Sequence, residues 1–259
     1  MLVLLPPSET KRVGGAGTLE LASLHGHDAL GDARVRVRDA LVELSRGDEE
    51  VAAKALKLGV KNRGELAYNL ALESGGVMPA IERYTGVVYD ALDVSTLDDT
   101  ARGWIDAHVR VQSALFGLVS ARDAIPAYRL SAGSRLPALG APLKRIWGDA
   151  HARLEWPEDA FVLDLRSKDY AALAPVPAEL GWHLHVVQRS ADGAVRALNH
   201  FNKAAKGDLV RRLAESCASP RDAAELGSWA GRVGLEMSFA PGSRTITLVT
   251  ELGVPVPSA

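Results

Sequence analysis

The sequence predicts a mixed α/β (α+β) fold in a single domain, and three observations carry that expectation. Short apolar runs, at residues 2–5 and 161–165, are bounded by turn and polar residues, as buried strands are. Between them lie stretches with apolar residues at helical spacing, such as Ala40, Leu41 and Leu44, or Ile146, Trp147 and Ala150. No long linker interrupts the 259 residues, a length that buries a sizeable core.

Taken in order, residues 2–5 read as a strand halted by Pro6-Pro7. Ser8-Glu9-Thr10-Lys11 then occupies the strand's exit, where binding groups sit in α/β architectures. Residues 33–72 are helical in pattern, and a helical insertion is expected over about 33–80. Within it, Lys57-Leu58-Gly59-Val60-Lys61-Asn62-Arg63-Gly64 joins two helical patterns by a tight turn and resembles a helix-hairpin-helix. Such a turn offers N–H groups to backbone phosphate without reading sequence, although a glycine there also simply ends helices.

Residues 84–92 form an aromatic and β-branched segment, after which Ser95 is expected to cap a helix reaching about residue 107. Residues 109–119 are apolar enough for buried structure. Pro142 suits a helix start, with Trp147 in the core rather than a stacking platform. Residues 182–188 and 194–201 predict a hairpin about Asp192-Gly193. Ser219-Pro220 reads as a cap followed by a first-turn proline. Two closing strands, at 237–239 and 245–250, meet about Pro241-Gly242.

The stretch from Asn199 to Arg212 is the most suggestive chemically. A strand ending at Phe201, a cap at Asn202 and a helix over 203–216 would put Lys203 and Lys206 in a helix's first turn. That end already carries about half a positive charge, so lysines there suit an anion such as phosphate. At about 100° per residue, Arg211 falls within roughly 140° of both lysines. A solvated basic helix face is the bland alternative.

Several function classes are excluded or disfavoured. A net charge of −2 supplies no global field for nucleic acid or membrane, so polyanion binding needs a local basic patch. Cys217 is the single cysteine, which rules out an internal disulfide framework and fits a reducing cytoplasm. No run of some 18 apolar residues spans a membrane, and the opening Met1 to Leu5 is too short for a signal-peptide core. There is no phosphate-loop, dinucleotide or His-Glu-x-x-His motif. His183 and His185 share a strand face, but no ligand set is convincing, so no metal and no cofactor is expected.

In family order, Pro6-Pro7-Ser8-Glu9-Thr10-Lys11, Gly86-x-x-Tyr89, Ser113-x-Leu115-Phe116-Gly117, Asp123 and Tyr128-Arg129-Leu130-x-x-Gly133 resemble the YaaA peroxide-stress proteins. Trp147-Gly148-Asp149, Leu165-x-Ser167-x-x-Tyr170 and Lys203-x-x-Lys206-Gly207 with Arg211 continue the resemblance to about residue 250. Two positions depart from many relatives: Val87 stands in place of an acid, and Ser120-Ala121 in place of an Arg-Pro pair. The resemblance implies a cytoplasmic oxidative-stress protein that binds DNA and limits peroxide and iron damage. It implies a helix-hairpin-helix element beside a basic cleft whose cations are Lys11, Arg129, Lys203, Lys206 and Arg211, joined by Lys57, Lys61 and Arg63 of the hairpin.

The first functional expectation is therefore sequence-tolerant DNA binding with no established catalysis. The alternative is an enzyme acting on a phosphorylated small molecule or nucleotide in the same cleft, with Glu9, Lys11 and Tyr170 as acid–base candidates. A protein-interaction scaffold is the third reading. The oligomeric state is open, with a monomer expected.

Overall fold

The computed structural model describes residues 1–189, 195–196, 199–240 and 242–250. The chain begins with β1 (Leu2–Leu5) and a helical stretch, α1 (His27–Arg46), α2 (Glu49–Leu56) and α3 (Leu66–Leu70). Next come β2 (Met78–Pro79), α4 (Ala80–Arg83), α5 (Val87–Leu92), α6 (Asp99–His108), β3 (Val109–Ser113), β4 (Gly117–Ser120) and β5 (Ala124–Ile125). The second half comprises α7 (Leu143–His151), β6 (Val162–Asp164), α8 (Lys168–Ala171), β7 (Gly181–Arg189), β8 (Val195–Arg196), α9 (Asn199–Glu215), α10 (Ala223–Arg232), β9 (Glu236–Phe239) and β10 (Thr245–Thr250).

The central sheet is mixed, in the order β4-β3-β1-β6-β7-β10-β9, with β8 paired to the far end of β7. Its middle five strands are mutually parallel, and β4 and β9 close the two edges antiparallel. Val3, Leu4 and Leu5 are fully buried, as expected of a strand covered on both faces. The fold class is thus the mixed α/β domain read from the sequence. Trp147 is fully buried and lies in the core.

Several boundaries fall elsewhere than the pattern suggested. Residues 84–92 are partly helical, because Gly86 opens α5 rather than continuing a strand. Ser95 sits in a 3-10 turn, and Asp98 caps α6 by accepting from Ala101 N at 2.8 Å. Likewise Asp222, not Ser219, caps α10, accepting from Glu225 N at 2.8 Å. In both places the aspartate nearest the helix outcompetes a hydroxyl three residues upstream. The turn about Asp192-Gly193 and Pro241 lie outside the described residues.

Two glycines of the motif run are packing requirements. A Cβ on Gly207 would collide with Val88 O, so α9 and α5 touch backbone to backbone there. Gly117 has φ +68°, and a Cβ would meet the Trp147 ring at 2.7 Å. Buried Arg34 adds a polar staple, donating to the carbonyls of Leu24, His25, Phe116 and Leu118. Gly207→Ala is expected to destabilise the protein by about 2 kcal/mol or more through overpacking. Urea unfolding measures this, and an unchanged midpoint would contradict the close approach.

Candidate functional site

The polar residues gather where the sheet changes direction. From β1 the chain moves to β3 on one side, whereas β6, the other neighbour of β1, continues to β7 on the opposite side. Segments leaving β1 and β6 therefore diverge, and such a switch point at the carboxyl ends of parallel strands forms a crevice. The β1 exit supplies Pro6 to Lys11, the β6 exit Arg166 to Tyr170, and β3 contributes Gln112 and Ser113 at its end.

Arg166 braces this edge. It is 1% exposed and grips Asp164 through Nε at 2.8 Å and Nη2 at 2.7 Å. Its Nη1 reaches Gln112 Oε1 at 3.1 Å, crossing from β6 over the end of β1 to β3. Lys206 of α9 completes the support by donating to Leu165 O at 2.8 Å. Burial lowers the Lys206 pKa, which Asp164 partly restores and Lys203 lowers further.

Arg129 ties three distant segments together. Buried to 6% exposure, it pairs with Glu9 of the β1 exit at 2.7 Å and with Glu65 of the helical stretch at 3.1 Å. Its backbone is held from both sides by Asn69, which accepts from Arg129 N at 2.7 Å and donates to Arg129 O at 3.1 Å. Lys11 lies alongside. Its side chain keeps partial exposure, but the amine is enclosed, donating to Ser8 O at 3.0 Å and Glu9 O at 3.2 Å. The same nitrogen sits 4.0 Å from the Tyr128 ring centroid and 5.3 Å from that of Tyr84. Burial, reinforced by Arg129 and opposed by Glu65 and Glu9, brings its pKa down from 10.5 to about 7.

Tyr84 and Tyr128 face Lys11, and two further tyrosines, Tyr89 and Tyr170, lie on neighbouring segments. Tyr84 and Tyr128 share a hydrogen bond of 2.8 Å, and Tyr128 a second of 2.8 Å with Ser113 Oγ. Tyr89 donates to Pro6 O at 2.8 Å, and Tyr170 accepts from Ala132 N at 3.4 Å. Burial raises the pKa of all four phenols, so each remains a neutral donor.

The expected cations divide into two groups. Helix α9 begins at Asn199, about a turn earlier than the alternation at 195–201 suggested. Asn202 is therefore inside the helix, and Lys203 and Lys206 lie beyond the free N–H groups of its first turn. Lys203 is exposed and has no carboxylate partner among the described residues. Arg211 points elsewhere: it donates to Leu92 O, Asp93 O and Thr96 Oγ1 and pairs with Glu215 at 2.8 Å.

In the hairpin, Lys57 takes the left-handed position that ends α2, with φ 59°, while Gly59 has φ −71°. A 3-10 segment, Val60–Glu65, then leads into α3. Arg63 pairs with Glu50 and Glu49, whereas Lys57 and Lys61 are exposed and carry no carboxylate partner among the described residues. The hairpin packs on the Arg129 loop: Arg135 N donates to Ala55 O at 3.0 Å, and a Cβ on Gly133 would lie 2.7 Å from Lys57 Nζ.

The family described as "Peroxide stress protein YaaA" matches residues 1–231. The chain belongs to the YaaA peroxide stress protein family. A UPF0246 protein of Streptomyces coelicolor is 43% identical over 229 residues, 87% of each chain. Another from Corynebacterium efficiens is 40% identical over 254 residues, covering 96% of this chain and 100% of that one. A more distant UPF0246 protein of Maricaulis maris is 27% identical over 230 residues, 83% of this chain and 84% of that one.

In this YaaA-family protein, Asp164, Arg166, Gln112, Glu65 and Asn69 went unnoticed in the sequence. Asp164 and Arg166 left a usable trace, an opposite-charge pair two residues apart closing an apolar strand. Glu65 and Asn69 left none, because their partner Arg129 lies some sixty residues away.

The lowered Lys11 pKa has a sign that can be measured. Between about pH 7 and pH 10.5 the unfolded chain keeps the Lys11 proton that the folded chain has released, so this group makes stability rise with pH across that window. Below about pH 7 the burial penalty is felt in full. Lys11→Met should thus gain most, relative to the parent, near pH 6, and its advantage should shrink towards pH 10. Denaturant titrations across this range check the trend, and the reverse trend would refute a depressed Lys11 pKa.

Proposed function

We propose that the protein serves the peroxide-stress response in the cytoplasm by holding DNA, without sequence preference, along the rim of the switch-point crevice. The observation that carries this reading is a run of exposed lysines on contiguous elements, without carboxylate partners among the described residues. Lys57 and Lys61 lie on the hairpin, which packs on the loop holding Arg129. That loop touches α8 through Ala132 and Tyr170, and α8 carries exposed Lys168. Lys203 projects from α9, whose Lys206 docks at the β6 exit. Such ammonium groups neutralise phosphates and release counterions, an electrostatic contribution that a slightly acidic protein can still concentrate locally.

Arg129, Lys206, Arg211 and Arg63 support the surface rather than meet phosphate, since each is already engaged within the protein. A second reading rests on Lys11. An amine depressed towards neutrality, beside Glu9 at a switch point and with Tyr170 on the neighbouring β6 exit, suits acid–base work on a phosphorylated small molecule or nucleotide.

Binding to a short duplex is expected to weaken steeply with salt. The triple substitution Lys57→Ala, Lys61→Ala and Lys203→Ala should lower the log–log slope by about 0.9 for each phosphate that is no longer neutralised. No binding at low salt, or an unchanged slope in the triple variant, rejects the DNA reading. Thermal stabilisation by nucleotides or sugar phosphates in the same protein would then favour the second.

A further inference from the structure

A cavity of about 350 Å³ opens beside α5, within the range of small-molecule sites. Its walls come from Arg12 beyond the β1 exit, Glu82 of α4, α5 with the turn that follows it, and Arg102 of α6. Tyr89, Val94 and Leu97 supply apolar surface. None of Lys57, Lys61, Lys168 or Lys203 lines it.

These walls are fixed from behind. A helix of six residues such as α5 does not hold its shape alone. Helix α9 braces it near both ends. Gly207 lies against Val88 O, while Arg211 Nη1 donates to Leu92 O and Asp93 O at 3.1 Å each and to Thr96 Oγ1 at 2.9 Å. On α6, Arg102 grips Glu82 at 2.6 Å and donates to Val94 O at 3.4 Å. Arg12 is anchored through its backbone, donating to Arg83 O at 2.8 Å and accepting from the buried Arg83 guanidinium. Gly86, Tyr89, Gly207 and Arg211, which the DNA reading leaves without a ligand to meet, thus all build one recess whose shape is set in advance.

The charges lining the recess do not cancel. Glu82 and Arg102 neutralise each other. Arg12 on one wall, and Asp90 and Asp93 on the α5 wall, meet no oppositely charged partner among the described residues. Both aspartates are oriented by neutral donors instead: Asp90 accepts from Gly86 N at 3.2 Å and Asp93 from Ser95 Oγ at 2.8 Å.

We propose that this cavity binds a free basic amino acid, with its α-carboxylate at Arg12, its ammonium groups at Asp90 and Asp93, and its methylenes over Tyr89 and Leu97. The charge balance selects the class. One guanidinium against two carboxylates is the complement of one carboxylate carrying two cationic groups. An acidic amino acid or a phosphate would meet two uncompensated carboxylates. The inference is independent of DNA binding, whose lysines stand elsewhere.

The test titrates the full-length protein with L-lysine hydrochloride against sodium chloride of equal ionic strength, following heat of binding and the thermal midpoint. Saturable binding of lysine is expected, with no binding of L-glutamate over the same range and weaker binding of cadaverine, which lacks the carboxylate. Arg12→Ala and Asp90→Asn should each weaken lysine about fivefold, the upper end for an ion pair with an exposed partner. Both side chains are exposed, so neither variant costs the fold. Lysine that acts no differently from chloride overturns the proposal. Glutamate or cadaverine binding as tightly as lysine overturns it too, as does parental lysine affinity in either variant.

Discussion

The ion pairs of Arg129 hold the site together, because they join segments that lie far apart in the chain. Glu9 follows the first strand, Glu65 precedes α3, and Arg129 sits in the loop after β5. A guanidinium buried to 6% exposure is costly to desolvate unless it is paired on more than one side. Two carboxylates and the Asn69 clamp on its backbone meet that requirement. Removing either carboxylate would leave charge uncompensated in a place water scarcely reaches, so Arg129 adds an electrostatic lock to the backbone and aromatic contacts that already join the hairpin, the β1 exit and the loop.

That constraint also explains the unusual position of Lys11. The carboxylates nearest to it are committed to Arg129, so its amine receives two carbonyl oxygens and two aromatic faces rather than a counter-ion of its own. Those contacts favour the charged form, yet burial and the neighbouring guanidinium outweigh them, and the pKa falls to about 7. The surrounding phenols respond oppositely, since burial raises them. The same distribution of charge thus holds the β1 exit against the Arg129 loop.

What the sequence made legible follows from the range of each signal. Apolar runs at 2–5 and 161–165 and the helical spacing through Ile146 and Trp147 are local, and they led to the right fold class. Helix starts were misplaced at Ser95, Ser219 and Asn202, where several capping residues stand in a row and only tertiary packing chooses among them. Lys11, Glu9 and Tyr170 were recognisable as polar residues at strand exits. Their partners were not, because Glu65, Asn69, Ser113 and Tyr84 act through contacts with distant segments that periodicity does not encode.

The division of cations changes what a basic motif means in this family member. Lys206 and Arg211 belong to one helix and stand in one motif, yet the first props the β6 exit and the second caps the end of α5. Gly207 between them is there because Val88 O lies against its Cα. Two of the three conspicuous basic residues thus serve to dock α9, whereas Lys203 of the same motif stays exposed, as Lys57 and Lys61 of the hairpin do. Reading a lysine-rich segment as an anion site therefore requires knowing where each amine ends. A buried donor already bonded to a carbonyl has little left to offer, whereas an exposed one still attracts an anion that comes within a Debye length of about 8–10 Å.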